Sequence, residues 1–246
     1  AYYPISEIGK GKVGFSKTRS IIEGAFYGNN VVKVNTLREA YELAKNSPGT
    51  IVTDMPVYRG EEFGLDKDAK VLLFNDGAIT GRYATARRIA GEPGVDCEAL
   101  DKVAMDAIYE SRWKTMYHAE VFVGLDPEFM VKAHLLIPEG EENIMYNWML
   151  NFQYMSDEYV KMYKKSKPVG DGKEPDIYIF SDPQWCGSDR PSVSLDCLSD
   201  PQKKTLCYFN TDTNCACILG MRYFGEHKKG TLTMAWAIAN RNGYAS

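Results

Sequence analysis

The chain has 246 residues, of which 44% are hydrophobic and 25% are charged, enough to bury a core as one large or two small domains. Its formal net charge of −4 and pI near 5.5 argue against a broad nucleic-acid or membrane surface. No apolar run approaches the ~18 residues of a membrane-spanning helix, and the first residues lack the basic-then-apolar pattern of a signal peptide.

The amino-terminal third predicts a strand, a helix and a second strand. Residues 31–34 form the first apolar strand, and Thr36-Leu-Arg-Glu39 has the sequence of a capping box, which predicts a helix over 37–44. Ser47-Pro-Gly49 ends that helix. Since residues 51–53 follow as a strand, we interpret this region as a β-α-β unit.

The remainder alternates between predicted strands and helices. Apolar periodicity predicts strands over 69–74, 119–123, 134–137, 177–180, 204–209 and 215–219, and helices over 99–114, 144–155 and 231–239. The last two strands read as a hairpin, whereas 164–173 and 223–230 read as loops. Because the sequence has no repeat and no linker, we expect one mixed α/β domain over 1–246.

The six cysteines do not have the spacing of a disulfide framework or a zinc site. Cys215 and Cys217 alternate with Ala216 in an apolar run, so a strand places both thiols on one face. Cys207 lies in another apolar run, and no Cys-x-x-Cys pair exists. We therefore expect buried, reduced thiols and a cytoplasmic protein.

Two other patterns do not meet the requirements of known sites. Residues 9–18 are rich in glycine and lysine, but Ser16 stands where a phosphate-binding loop needs its second glycine before Lys17 and Thr18. We interpret this segment as a basic amino-terminal loop. The three histidines have no His-Glu-x-x-His spacing, and we expect His134 to be a hydrogen-bonded core residue.

Basic residues follow two predicted strands in glycine-containing turns. Residues 76–82 end in Arg82, and residues 220–230 contain Lys228 and Lys229 near a helix start. Ligands of α/β sheets bind at the carboxyl ends of strands, where arginine can hold a carboxylate through two hydrogen bonds and helix amides attract anions. Judged by residue type and position alone, these basic residues could equally well be ordinary solvent-exposed side chains in loops.

The segment 219–233 closely resembles a signature of the ATP-type phosphoenolpyruvate carboxykinases, Gly-Thr-x-Tyr-Ala-Gly-Glu-x-Lys-Lys followed by a helix. Five residues match it in type and spacing, namely Tyr223, Gly225, Glu226, Lys228 and Lys229. Thr80-Gly-Arg82, Gly124-Leu-Asp-Pro127 and Pro175-Asp176 resemble further family segments, in the family's order. The resemblance covers residues 70–246, whereas residues 1–70 match poorly.

Several positions depart from the family pattern. Tyr83-Ala-Thr85 stands where the family has Ser-Pro-Lys, and Met221-Arg222 replaces a small residue and an acid, which adds positive charge near the motif. The chain ends before the family's metal-binding histidine, nucleotide loop and metal-binding aspartate. The resemblance thus implies a divergent member cut after its first lobe.

The resemblance implies an α/β fold with a mixed sheet, the amino-terminal domain of the carboxykinase type. It implies oxaloacetate and phosphoenolpyruvate as ligands, with ATP as co-substrate of the absent nucleotide-binding lobe and no nucleic-acid or membrane partner. Arg82 would hold a carboxylate or carbon dioxide, and Tyr223 would form a polar wall. Lys229 would coordinate Mn²⁺ or Mg²⁺ as a neutral amine, and Lys228 would face substrate or phosphate. The isolated chain would be inactive.

Two other functions stay open on the sequence. The departures from the family pattern fit a non-catalytic carboxykinase-like module for binding or assembly. The resemblance could also be accidental, which would leave a cytosolic domain that binds small anions.

Overall fold

The protein is described from a computed structural model, which covers residues 16–74, 87–153, 155–167 and 174–244. Its helices are α1 Lys17–Gly24, α2 Leu37–Lys45, α3 Cys97–Ser111, α4 Glu142–Leu150, α5 Asp157–Lys165 and α6 Phe224–Arg241. Its strands are β1 Val31–Val34, β2 Thr50–Pro56, β3 Lys70–Phe74, β4 Arg88–Ile89, β5 Met116–Asp126, β6 Phe129–Pro138, β7 Ile177–Asp182, β8 Leu206–Asn210 and β9 Cys215–Leu219. The predicted mixed α/β class is confirmed.

Seven strands form the main sheet, in the order β1-β5-β6-β7-β9-β8-β4. The pairs β5–β6 and β8–β9 are antiparallel neighbours in sequence, as hairpins require. By contrast, β6, β7 and β9 run parallel to one another. The carboxyl ends of these three central strands therefore lie at one edge of the sheet.

Helices cover both faces of this sheet. One face packs against α2, α4 and α6, and the other packs against α1 and α3. Cys215 and Cys217 both lie on the α1/α3 face and Cys207 lies on the opposite face, all three fully buried and free. The prediction of buried thiols in these strands is confirmed, and burial raises the pKa of Cys215 to about 12.

The predicted β-α-β unit is wrong, although its elements exist. The capping box is present, since the Thr36 hydroxyl accepts a hydrogen bond from the Glu39 amide at 3.1 Å. However, β1 joins the main sheet beside β5, whereas β2 pairs antiparallel with β3 in a separate two-stranded sheet. Ile51 and Met55 of β2 are both 64% exposed, so this strand lacks the buried faces of a parallel sheet strand.

Three other predicted boundaries are corrected. Residues 164–165 end helix α5 rather than begin a loop, and the Ser156 hydroxyl caps the start of that helix by accepting from the Tyr159 amide. The predicted helices over 99–114 and 144–155 end earlier, at Ser111 and Leu150.

The basic segment 9–18 is not a loop where it is described. Thr18 is buried in the first turn of α1 and donates a 2.7 Å hydrogen bond to Asp101, so this turn packs against α3. Residues 9–15 lie outside the described residues. Among the helices that the structure describes, none is long and apolar enough to cross a membrane.

Candidate functional site

The carboxyl ends of β6, β7 and β9 bring together charged and polar side chains from the segments that border this edge of the sheet. We call them the carboxyl-edge cluster, which comprises Lys114, Glu141, Asp182, Gln184 and Arg222. Lys114 precedes β5 and Asp182 ends β7, and their side chains pair at 2.8 Å. Asp182 is only 1% exposed and also accepts from the Gln184 amide at 3.0 Å. This carboxylate therefore helps to fix the loop that follows β7.

Arg222, which departs from the family pattern, pairs with a buried carboxylate. Its guanidinium reaches Glu141 Oε1 at 2.6 Å, and the Gln184 side chain donates to the same oxygen at 3.3 Å. Burial raises the pKa of Glu141, although the Arg222 hydrogen bond and charge oppose this shift. The expectation that Arg222 adds positive charge near the motif needs correction, because Glu141 compensates that charge. Met221 is buried in the core.

The motif segment begins helix α6 instead of forming a loop. We predicted a loop over 223–230 and a helix over 231–239, but α6 starts at Phe224, directly after Tyr223. The reason is that Glu226 and His227 are both 0% exposed and turn into the protein, so side-chain contacts hold this turn in place. Propensity and hydrophobic pattern alone did not reveal it.

Glu226 and His227 have specific buried partners. Arg87 donates to Glu226 Oε1 at 2.5 Å and to the Thr233 hydroxyl at 2.9 Å. His227 Nε2 lies 2.7 Å from the Ser181 hydroxyl, and its Nδ1 lies 3.0 Å from the Tyr223 carbonyl oxygen. The first turn of α6 is thereby tied to β7 and to the residue that precedes β4.

The lysines of the motif lie on the outer side of this turn. Lys228 is half-buried and donates to the Asn151 amide oxygen at 2.9 Å. Lys229 is exposed, with its amine 6.0 Å from the centre of the Tyr223 ring. That ring lies so close to Gly225 that a Cβ at this position would be 2.4 Å from its Cζ atom. The spacing Tyr-x-Gly therefore has a packing reason.

Three of the four predicted site residues can be placed. Tyr223, Lys228 and Lys229 lie together at the start of α6, at the carboxyl end of β9. Arg82, Thr80 and the departing residues 83–85 lie outside the described residues. Of the other family-like segments, Gly124 has a φ of +87° and a Cβ there would be 2.6 Å from the Phe129 carbonyl oxygen, so only glycine fits this position in β5.

A second polar cluster was missed at the sequence level. His118 and Glu120 alternate on β5, and His134 stands directly opposite Glu120 on β6. His134 is 4% exposed with both ring nitrogens within hydrogen-bond distance of a partner, which confirms the expectation of a hydrogen-bonded core histidine. The cross-strand pairing of β5 and β6, which no motif records, brings the three residues together.

No protein-family model matches this chain, and no curated protein matches it.

Proposed function

We propose that the chain is the substrate-binding lobe of a phosphoenolpyruvate carboxykinase-like enzyme, which converts oxaloacetate and a nucleoside triphosphate into phosphoenolpyruvate and carbon dioxide. The proposal rests on the position of segment 223–229, which resembles the family signature and follows the end of β9. Glu226 and His227 anchor its inner side, and Lys228 and Lys229 occupy its outer side. A rigid element keeps its ligand contacts in place, and cations that face solvent can meet an entering carboxylate.

The chemistry needs positive charge where an enolate develops. Loss of carbon dioxide from oxaloacetate leaves negative charge on an oxygen, and pre-positioned cations stabilise it more than they stabilise the substrate. Lys228, held by Asn151 at 2.9 Å, and Lys229 are the cations in this turn. Tyr223 presents its ring and hydroxyl beside Lys229. Arg222 is assigned no substrate contact, because its charge is used on Glu141.

Arg82 is proposed to hold a substrate carboxylate or the departing carbon dioxide. Five positions later in the chain, Arg87 contacts Glu226 inside the motif. This contact supports an arrangement in which the Thr-Gly-Arg segment and the motif serve one ligand.

The resemblance also implies Mn²⁺ or Mg²⁺, with Lys229 as a ligand. Among the described residues, the only group of at least three histidine, cysteine or acidic side chains with metal-binding geometry is His118, Glu120 and His134, which does not include Lys229. The described residues near Lys229 thus supply no group of three such side chains, and the metal role of Lys229 stays a prediction. ATP is likewise proposed for a second lobe, so we expect this chain to bind ligand without turnover.

Calorimetry with oxalate, a mimic of the enolate, tests the proposal. The 246-residue chain is titrated with oxalate in the absence and presence of Mn²⁺. We expect weak binding by the unmodified chain and loss of binding in Arg82→Ala, because a bidentate contact to a carboxylate is removed. Tyr223→Phe should weaken binding less, because it keeps the ring.

Arg38→Ala is the matched control, since Arg38 is an exposed arginine of α2 paired with Asp66 at 2.7 Å. It removes the same charge and should leave oxalate binding unchanged. Equal oxalate binding by the unmodified chain and Arg82→Ala would refute the assignment of Arg82 to the site. Equal losses of affinity in Arg82→Ala and Arg38→Ala would mean that only the net charge of the protein matters.

A further inference from the structure

The second polar cluster has the geometry of a coordination site. We call it the histidine cluster, which comprises His118, Glu120 and His134. His118 Nε2 and His134 Nδ1 are 2.8 Å apart, and Glu120 Oε1 lies 3.8 Å from the first nitrogen and 3.4 Å from the second. Three potential ligand atoms thus surround one small volume on the α1/α3 face of the sheet.

We propose that the histidine cluster binds a divalent transition-metal ion of the zinc class. Two ligands bound at ~2.0–2.1 Å in tetrahedral geometry are separated by about 3.3 Å, and the observed distances of 2.8, 3.4 and 3.8 Å lie on both sides of this value. Shifts of about half an ångström in three side chains would therefore admit an ion. Two imidazoles and one carboxylate leave the fourth position for water, as in open zinc sites.

Neighbouring groups already hold His134 in the orientation of a ligand. Its Nε2 lies 2.8 Å from Asp176 Oδ2, and a carboxylate there accepts the Nε2 proton and leaves the Nδ1 lone pair directed at the cluster. Tyr178 stacks on the His134 ring at 4.3 Å with an interplanar angle of 3°, and the Phe26 ring meets His118 edge-on at 5.0 Å. Both imidazole rings are thus fixed by packing.

The present bond between the two rings must open for an ion to bind. With the Nε2 proton of His134 bonded to Asp176, His118 donates from its Nε2 to His134 Nδ1 at 2.8 Å. An ion between the rings would replace this bond once the proton of His118 occupies its Nδ1 atom.

Two lysines pair with Glu120 and would compete with a metal ion for its carboxylate. Lys33 lies 3.1 Å and Lys132 3.6 Å from Glu120 Oε1. Lys33 has a side chain that is 50% exposed, so it can turn into water. Lys132 also lies 3.8 Å from Asp176 Oδ2 and can remain paired there. In the present arrangement both cations are paired with the Glu120 oxygen that would bind the ion.

This site shares no residue with the proposed carboxylate site. Tyr178, which stacks on His134, lies four positions before Asp182 of the carboxyl-edge cluster, about 13 Å along strand β7. The metal proposal therefore stands or falls independently of the carboxykinase proposal.

Titration of the metal-free full chain with Co²⁺, followed by visible absorption, tests the site, and calorimetry with Zn²⁺ gives the affinity. We expect d–d bands of a low-symmetry nitrogen and oxygen site without a thiolate charge-transfer band. Glu120→Gln and His134→Asn should abolish the bands. Asp176→Asn should weaken Zn²⁺ binding by about 10–100-fold, the usual effect of an outer partner.

Lys33→Met gives a readout that a purely structural cluster would not produce, because removal of the competing cation should tighten Zn²⁺ binding. Glu158→Gln is the matched control, since Glu158 is an exposed acid on α5, and it should leave the affinity unchanged. If His134→Asn fails to fold, Glu120→Gln and Lys33→Met still decide the matter. Absence of Co²⁺ bands in the unmodified chain, bands that persist in Glu120→Gln, or a thiolate band from the free cysteines would overturn the proposal.

Discussion

Strand β7 connects two polar regions that are built in different ways. At its carboxyl end, the carboxyl-edge cluster and the start of α6 take their charged groups from loops and from a helix turn. Near its other end, the histidine cluster takes its groups from the interiors of β5 and β6. In the first region Lys228 and Lys229 lie toward solvent, whereas in the second every member is at most 13% exposed at its side chain.

The difference shows what each part of a sheet can offer chemically. Loops at strand ends can carry cations outward while buried neighbours fix them, which suits an anionic ligand that enters from solvent. Strand interiors hold side chains in a register set by backbone hydrogen bonds, so distances between ligand atoms are defined closely. We therefore associate the first region with carboxylates and the second with a metal ion.

Arg87→Met should have the largest effect on stability, because it leaves the fully buried Glu226 without its cation. Removal of one partner of a buried ion pair costs about 3–5 kcal/mol, and Glu226 Oε2 is already buried without a hydrogen-bond partner among the described residues. Urea unfolding measures the change. Arg38→Met removes an arginine from an exposed pair and should cost no more than ~1 kcal/mol.

If Arg87→Met destabilised the protein no more than Arg38→Met, the Arg87–Glu226 pair would not hold the first turn of α6 in place. The contrast between the two polar regions would then fail.

Gly225→Ala should have the next largest effect, because its Cβ would be 2.4 Å from the Tyr223 ring. Overpacking of a core costs about 1–3 kcal/mol, but the end of the Tyr223 ring can turn aside and alanine regains about 1 kcal/mol at a helical position. We therefore expect a net loss of about 1 kcal/mol, together with weaker oxalate binding as the ring moves. Gly24→Ala is the matched control, since Gly24 has a helical φ of −58° and open space around its Cβ position. Gly24→Ala should raise the free energy of unfolding by about 0.4–1 kcal/mol. Unchanged oxalate binding by Gly225→Ala would show that the position of the Tyr223 ring does not affect the ligand.

Local chemistry was sufficient to predict many of the elements. The capping box at Thr36 predicted helix α2, and the alternation of Cys215 and Cys217 predicted two buried thiols on one face of a strand. Both signals act within a few residues. The start of α6 was not predicted, because its first turn depends on Arg87 and Ser181, which are distant in the sequence. Helix propensity carries no information about such partners.

The same reasoning explains what was missed at the two sites. The spacing of Lys228 and Lys229 is visible in the sequence, and so is their proximity to Tyr223. That Glu141 compensates Arg222 depends on the neighbouring positions of β6, β7 and β9 in the sheet. The histidine cluster depends on the β5–β6 register, and a shift of one residue would place His134 on the opposite face.

Glu141→Gln should change the pH dependence of stability. Burial raises the pKa of Glu141 above its ordinary value of 4.5 despite Arg222, so the folded protein holds the proton more strongly than the unfolded chain. Its contribution to stability is complete below pH 4.5 and is lost as the pH rises through the folded pKa. Urea unfolding across this range should show the unmodified chain losing stability relative to Glu141→Gln. Parallel profiles would mean that Arg222 fully offsets the burial.

Lys229→Gln should have the smallest effect on stability and therefore separates binding from folding most clearly. Lys229 is exposed and its amine is 6.0 Å from the Tyr223 ring centre, so its loss should change the free energy of unfolding by less than about 0.5 kcal/mol. Oxalate binding should nevertheless fall, because a cation facing the ligand is removed. Lys102→Gln, an exposed lysine of α3 paired with Glu98, should change neither quantity. If Lys229→Gln bound oxalate as well as the unmodified chain, the outer side of the turn would be an ordinary solvated helix face, and the contrast with the histidine cluster would lose its functional meaning.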